Sequence, residues 1–572
     1  MTEAPPTRRL LALLAALGLA LAGVVVRLGV LQVRQAGAYV ELGREQRIRS
    51  LDLAAERGEI VDRNGAPLAL SLDARDVYAD PRYVTDPPTE AARIAGVLGM
   101  DRADERALRQ RLRQDGSFVY VARRVDRRLA DRLAELALPG VGFLPSTRRD
   151  YPAGTVAAQL LGFTNVDGLG IAGLEKQYED LLAGTPGERT SELSPLGQVI
   201  PGGLDVVRPP APGSDLVLTI DREIQFQAQR FLRRAVRDNR AEGGTIVVMD
   251  PRTCDVYAMA SHPTFDPNAF ADADPATFRN RAVTDMWEPG SVNKVITAAA
   301  ALETGAVAPA EVFRVPSTRE VGGFTIHDSH EHPIAPMTLA DIIAESSNIG
   351  SSLVADEVGS ERMASAFARF GFGRATGIGF PGEQRGLMPS VTEWTDATRA
   401  TVSFGSGVAV TPMQMASVYQ TIANGGVRCT PRLVAATRAA SGELRPVAPS
   451  PTERVVRPGT ARALTRILAY AVADGTGSNA QIPGYQVAGK TGTAKKLEDG
   501  RYVHRYVASF IGFLPASAPR VVVAAILDEP ETVYGGIAAA PLFQDVARYA
   551  IQRLGIEPAP SVPPPTRALP GP

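Results

Sequence analysis

Trp287-Glu288-Pro289-Gly290-Ser291-Val292-Asn293-Lys294 runs without a break into the apolar segment Val295–Leu302. Pro289-Gly290 sets a turn, and Ser291 stands where a helix begins. Lys294 follows three residues later, so one helical turn brings its amine under the serine hydroxyl. A serine becomes a nucleophile only beside a base, and a lysine can serve once burial or a neighbouring cation lowers its pKa. Arginine could not, because it keeps its proton. Of 61 lysines and arginines, five are lysines, at 176, 294, 490, 495 and 496. A chain this biased toward arginine that keeps lysine at 294 points to amine chemistry. By itself Ser-x-x-Lys also fits a capped helix with a solvent-facing lysine, so the reading needs partners.

Two stretches supply them. Ser346-Ser347-Asn348 follows the helical run Leu339–Ala344. A hydroxyl and an amide two residues apart can face one cleft, the first relaying protons and the second holding an amine and a substrate amide. As an isolated motif it would pass for a helix cap. Lys490-Thr491-Gly492-Thr493 reads as an extended strand, in which 490 shares a face with 492 and opposes 491 and 493. Gly492 is expected to leave room for a ligand backbone. Thr493 can offer its N–H to an oxyanion and its hydroxyl to a carboxylate. Lys490 brings a positive field that attracts a carboxylate and lowers the Lys294 pKa.

The rest of the chain gives this set a setting. With 45% apolar and 22% charged residues over 572 positions, it is globular and long enough for two or three domains. A formal net charge of -1 excludes the basic field of a general nucleic-acid binder. Leu10–Val26 is an unbroken apolar run behind Arg8 and Arg9, and apolar character resumes after Arg27, which can snorkel. It reads as a transmembrane anchor over 10–33 with residues 1–9 cytoplasmic and the remainder outside. Ala20-Leu21-Ala22 resembles a signal-peptide cleavage site, but the apolar run continues past it.

Arg57–Leu72 reads as a hairpin around Asn64-Gly65, and residues 85–140 alternate helical pieces with turns. Pro201–Gly213 is a Pro/Gly-rich boundary between a scaffold over 34–205 and a catalytic domain over 215–556. Val507–Leu514 and Val521–Leu527 read as buried antiparallel strands and Leu542–Leu554 as a closing helix, giving a mixed α+β class. Residues 557–572 are Pro-rich and expected to be disordered. Cys254 and Cys429 could form one bridge, but their separation of 175 residues leaves that open and two unpaired thiols are the expectation, with Cys254 in a turn position that would suit glycine.

Ser-x-x-Lys, Ser-x-Asn and Lys-Thr-Gly in this order resemble the motif set of penicillin-binding proteins and class A β-lactamases. The resemblance extends over nearly the whole chain to the class B penicillin-binding proteins, and among them to the septal cell-division transpeptidases of Gram-negative bacteria. It is carried by Arg57–Gly65 (RGEIVDRNG), Leu161–Asp167 (LGFTNVD), Gly173–Glu175, Arg279–Arg281 with Thr284-Asp285, and Glu288–Ser291. Val402–Thr411 (VSFGSGVAVT), Lys490–Lys496 (KTGTAKK) and Tyr534–Gly536 complete it. Phe404-Gly405-Ser406-Gly407 departs from the pattern, having serine where a tyrosine is expected to line the cleft.

The resemblance implies a transmembrane helix, an elongated pedestal or dimerisation-like domain, and a transpeptidase domain with an antiparallel sheet flanked by helices. It implies that Lys294 takes the proton of Ser291, which attacks the D-Ala-D-Ala bond of a stem peptide on a lipid II-derived strand. The backbone N–H groups of Ser291 and Thr493 would form the oxyanion hole. Ser346 would pass the proton to leaving D-Ala, with Asn348 and Lys490 completing the catalytic set. Glu288, Thr491, Gly492, Thr493 and Tyr534 would contact substrate, the two threonines holding its terminal carboxylate. An amine of a second stem would then take the acyl group, and β-lactams would acylate the same serine. No metal or organic cofactor is implied. The absence of a glycosyltransferase segment before residue 215 implies a membrane glycosyltransferase partner of the SEDS type. Division-site proteins at the inner membrane are implied as further partners. The alternatives are an elongation-type transpeptidase and a β-lactam hydrolase or sensor built on the same triad.

Three other signals are weaker. Gly484–Thr491 matches a phosphate-binding loop but follows a polar segment and leads into Gly492-Thr493. Gly377–Gly382 matches a dinucleotide-binding pattern, but Pro381 makes it a turn. His327-Asp328-Ser329-His330-Glu331-His332 has the density of a zinc site, although the resemblance makes it a surface loop.

Overall fold

The apolar run after Arg9 folds as a 24-residue helix, α1 (Pro6–Gly29), continued by a wider helical turn to Arg34. Among the described residues Thr7–Arg34 is the one helix long and apolar enough to cross a membrane, with a mean hydropathy of 2.4 over its most apolar stretch, none of which is buried. Its 28 residues reach about 40 Å, more than the hydrocarbon thickness of a bilayer. The computed structural model describes residues 6–192, 200–498 and 500–565. Contacts divide the chain into two units, Met1–Glu56 with Gly184–Pro212, and Arg57–Ala183 with Gly213–Pro572.

The first unit holds α1, a helix over Ala36–Arg47, and a three-stranded antiparallel sheet of Ile48–Leu53, Gly187–Glu192 and Asp205–Arg208. In the second unit the hairpin at Asn64-Gly65 forms as Ile60–Val61 against Pro67–Ala79. Pro67–Ala79 also pairs with Val119–Asp126 and Val141–Asp150. Ile60–Val61 pairs in parallel with Asp215–Leu218, so one seven-stranded sheet links residues before and after the Pro/Gly-rich boundary. The motifs RGEIVDRNG and Gly173-Leu174-Glu175 meet in its core. Glu175, fully buried, receives Arg57 Nε at 2.6 Å, Arg149 Nε at 2.7 Å and the Tyr151 hydroxyl at 3.3 Å. A buried carboxylate tolerates this position because two guanidinium groups satisfy it.

The catalytic part is built on a second sheet. Helix α2 (Arg222–Asp238) precedes β1 (Gly243–Met249) and β2 (Val256–His262); α3 (Lys294–Thr304) and α4 (Asn348–Val358) follow. Then come β3 (Ala488–Glu498), β4 (Arg501–Leu514), β5 (Val521–Asp528) and α5 (Gly535–Leu554). The strands run antiparallel in the order β2-β1-β5-β4-β3. Alternate side chains of β1 enter different cores. Ile246 and Val248 join α2 and α5, while Val247 and Met249 join α3. Both faces are covered, which is why β5 reads as an unbroken apolar run.

Two expectations are corrected here. Cys254 and Cys429 are not free thiols but a disulfide, with Cα atoms 6.0 Å apart. Their distance in sequence is cancelled because Arg432 N–H donates to Cys254 O and Val256 N–H to Arg432 O, laying the two segments side by side. Cys254 has φ 59°, the left-handed turn conformation that its position suggested. The Pro-rich tail is not loose as far as residue 565. Val562 exchanges hydrogen bonds with the Gln486 side chain and packs on the core. Residues 566–572 lie outside the described residues.

Candidate active site

Ser291 lies in one tight helical turn, Gly290–Asn293, that opens α3. The turn is wedged between β3 and the 402–407 loop. Gly290 has φ 56°, and a Cβ there would sit 3.3 Å from Thr493 O and from the Ala494 Cβ. Gly290 N–H donates to Gly405 O, and the Asn293 side chain donates to Val402 O at 3.0 Å. Thr297 Oγ1 adds a bond to Ser403 O at 2.7 Å, so VSFGSG is the brace of the serine turn. Gly492 has a different neighbour from the one expected. A Cβ there would meet Ser509 Oγ of β4 at 2.4 Å, Val292 Cγ1 at 3.0 Å and Pro289 O at 3.2 Å, so its missing side chain admits the protein's own neighbouring strand and turn.

Lys294 is fully buried at the start of α3. Its Nζ donates to the Ser346 carbonyl and lies 3.3 Å from Ser346 Oγ. Ser346 has φ 62°, and this left-handed backbone turns its carbonyl and hydroxyl toward one amine. Burial pushes the Lys294 pKa well below the usual lysine range. The Lys490 charge pushes the same way and Asp328 opposes it. Asn348 turns aside from Lys294, and its side-chain amide donates to His327 O at 3.0 Å.

On β3, Lys490 is buried and its pKa falls to about 7 through loss of hydration. Its Nζ donates to Thr491 Oγ1 at 3.0 Å, Thr491 O at 3.2 Å and Thr476 Oγ1 at 3.3 Å. The two threonine hydroxyls are 2.9 Å apart, which closes a small network around the amine. Thr493, half-buried, accepts the Gly535 N–H on Oγ1 at 3.0 Å. Tyr534 precedes α5 with its side chain half exposed. The KTG strand thus meets the start of α5 through Thr493.

Glu288 stands at the rim. It accepts the Gly407 N–H at 2.9 Å and the Tyr502 hydroxyl at 3.1 and 3.0 Å on its two oxygens. Burial raises its pKa, and hydrogen bonds from Gly407, Tyr502 and Ser406 oppose the rise. Ser406, where a tyrosine was expected, therefore shares Glu288 with a tyrosine from β4. Sequence reasoning missed Tyr502, Thr476 and Asp328. The only signal for Tyr502 is its place on the strand after Gly500. For Asp328 the signal was drowned by three histidines: His332 Nε2 lies 3.1 Å from its carboxylate. The phosphate-loop pattern at Gly484–Thr491 runs into strand β3 and opens no helix.

Comparison with known proteins gives this arrangement relatives. The family described as "Penicillin binding protein transpeptidase domain" matches residues 244–548, and "Penicillin-binding Protein dimerisation domain" matches 52–218. Penicillin-binding protein PbpB of Mycobacterium tuberculosis is 36% identical over 563 residues, covering 93% of this chain and 82% of its own. Peptidoglycan D,D-transpeptidase FtsI of Escherichia coli K12 is 36% identical over 550 residues, covering 94% and 91%. Among solved structures, penicillin-binding protein 3 of M. tuberculosis complexed with aztreonam superposes with a TM-score of 0.71 at 32% identity, covering 89% of this chain and 98% of that one. A peptidoglycan synthetase of Bifidobacterium adolescentis gives 0.75 at 28%, covering 91% and 99%. With the dimerisation and transpeptidase families matched in series and such relatives aligned over nearly its full length, the chain belongs to the class B penicillin-binding proteins.

Proposed function

We propose that the chain is a peptidoglycan D,D-transpeptidase working through an acyl-enzyme on Ser291, and that β-lactams acylate the same hydroxyl. The observation that carries the mechanism is the buried Lys294 amine, one turn after Ser291 and held by the Ser346 carbonyl and hydroxyl. An amine so placed is neutral in a pH range where an exposed lysine is charged, and can accept a proton. Lys294 takes the Ser291 proton as Oγ bonds to the penultimate D-Ala carbonyl carbon. The N–H groups of Ser291 and Thr493 hold the oxyanion. Collapse breaks the peptide bond, and Ser346 passes the proton to the nitrogen of leaving D-Ala. The amine of a neighbouring stem then displaces Ser291, which recovers its proton.

Lys490, Thr491 and Thr493 suit the terminal carboxylate of the donor, while Asn348, Tyr534 and Glu288 line the path of the two peptides. We assign α1 as a single-pass anchor in the cytoplasmic membrane, with residues 1–9 inside, the pedestal over 34–205 and the transpeptidase domain over 215–556 outside. Since this chemistry joins strands but does not make them, a SEDS-type glycosyltransferase and division-site proteins are its partners at the septum. The similarity to FtsI over nearly the whole chain favours division over elongation.

A fluorescent penicillin tests the reading. The full chain should form an adduct that persists for many minutes, and Ser291→Ala should form none. Rapid loss of the label would favour a hydrolase, and no label on the wild type would sink both enzymatic readings. Filaments on depletion, instead of round cells, would place it at the septum.

A further inference from the structure

The Ser346 turn is clamped from outside its own helix. A left-handed serine persists only where its surroundings fix it, and Asp328 bonds the three residues that follow Ser346. Asp328 follows the strand Phe324–His327, and its side chain is 6% exposed. Its Oδ1 accepts the N–H of Asn348 at 2.5 Å and of Ile349 at 3.1 Å, and its Oδ2 accepts the Ser347 hydroxyl at 2.6 Å. Ser347 Oγ in turn accepts the Gly350 N–H at 2.8 Å. The first three N–H groups of α4 are thereby taken, two of them by a carboxylate from another segment. The His327 carbonyl, from the same strand end, holds the Asn348 side chain.

We propose that Asp328 is a positioning residue for acylation, a carboxylate outside the three motifs that holds the Ser346–Asn348 turn against Lys294. The proposal rests on Lys294 and Ser346 serving the acylation of Ser291. The carboxylate also acts by charge. Lys294 faces Lys490, which favours loss of its proton, and Asp328, which resists it. Asp328 itself faces Lys294 and His332. The His332 ring lies between Asp328 and the Pro333 carbonyl, 2.8 Å from Nδ1, with Glu345 also near.

The test is the second-order rate of acylation of the full chain in detergent by fluorescent penicillin, followed from pH 5.5 to 9. Asp328→Asn keeps the shape and one acceptor but loses the charge. It should acylate more slowly, and the acidic limb of its profile should move to lower pH, because the charge retaining the Lys294 proton has gone. Asp328→Ala should lose about 100-fold, as misplacement of a catalytic group does. It should also speed amide exchange at Asn348, Ile349 and Gly350. Repeating the profile in His332→Gln separates imidazole titration from the limb. Asp328→Ala acylating at the wild-type rate would overturn the proposal. So would an unmoved limb in Asp328→Asn, which would reduce Asp328 to a helix cap. If the wild type took no label, the transpeptidase reading would fall. Equal amide exchange in wild type and Asp328→Ala would then still reject the clamp.

Discussion

Lys294 and Ser346 meet at two atoms, the buried amine donating to the serine carbonyl and lying 3.3 Å from its hydroxyl. Both groups it touches are neutral, so the amine gains hydrogen bonds here without a direct ion pair, and the one anion that favours its proton, Asp328, acts from a distance and is outweighed by burial and the Lys490 charge. Burying it is costly to folding, which is the mark of a group kept for chemistry. Lys294→Met keeps the length and removes the amine. Acylation by penicillin should fall by about 10²–10⁴-fold, the range for loss of a general base. The thermal midpoint should stay level or rise, since an apolar chain fits a buried position better. A midpoint that fell in step with acylation would make Lys294 a structural residue.

Gly405 is where the brace of the serine turn can be broken by one methyl group. It has φ 88°, and a Cβ would stand 2.3 Å from Gly290 O and 2.7 Å from Gly290 N. These are backbone atoms of the turn carrying Ser291 and cannot swing away. Gly405→Ala should slow penicillin acylation at least tenfold. Gly425→Ala, also at positive φ (62°) but with nothing near its Cβ, controls for backbone strain alone. Equal rates in both variants would show that the brace does not set the position of Ser291.

The parts legible in the sequence were those written in local pattern. The buried strands β4 and β5 are apolar runs with both faces covered, and Ser-x-x-Lys fixes its own geometry through one helical turn. The 402–407 loop was visible as a motif, but its work as a brace depends on Gly290 arriving beside it. What stayed hidden is made by contact between distant segments. Asp328 has no periodicity to betray it, and its partners at 347–349 lie across a loop. Tyr502 reaches Glu288 because β3 and β4 form a hairpin that extends past the site. The packing around Gly492 is hidden likewise, because a sequence does not say which atoms will approach a glycine. The pairing of Cys254 with Cys429 is hidden for the same reason.

The disulfide joins the turn before β2 to the segment leading into the strand Val434–Arg438. It closes a long loop that contains Ser291 and the Ser346 turn but not β3. Replacing both cysteines by serine should lower the unfolding free energy by about 2–4 kcal/mol. Urea unfolding with and without reductant measures it. Penicillin labelling at low temperature should survive, since neither sulfur touches the serine turn. Labelling that vanished while folding persisted would give the disulfide a part in the site.

Lys490 gives a stability signature opposite to that of an ordinary ion pair. Its pKa in the folded chain is about 7, against 10.5 for a free lysine. Between these values the unfolded chain carries a proton that the folded chain has shed, so stability rises with pH across that window. Lys294, lowered in the same direction, adds to the rise. Lys490→Met should raise the thermal midpoint at pH 6 and flatten its climb toward pH 9, while weakening acylation through loss of the positive field. Lys490→Arg separates charge from basicity, because arginine cannot shed its proton in a buried site. Its deficit in thermal midpoint against the wild type should widen from pH 6 to pH 9, as the wild-type lysine becomes neutral and the arginine does not. A deficit constant with pH would show that Lys490 keeps its charge throughout, and that its field on Lys294 does not titrate.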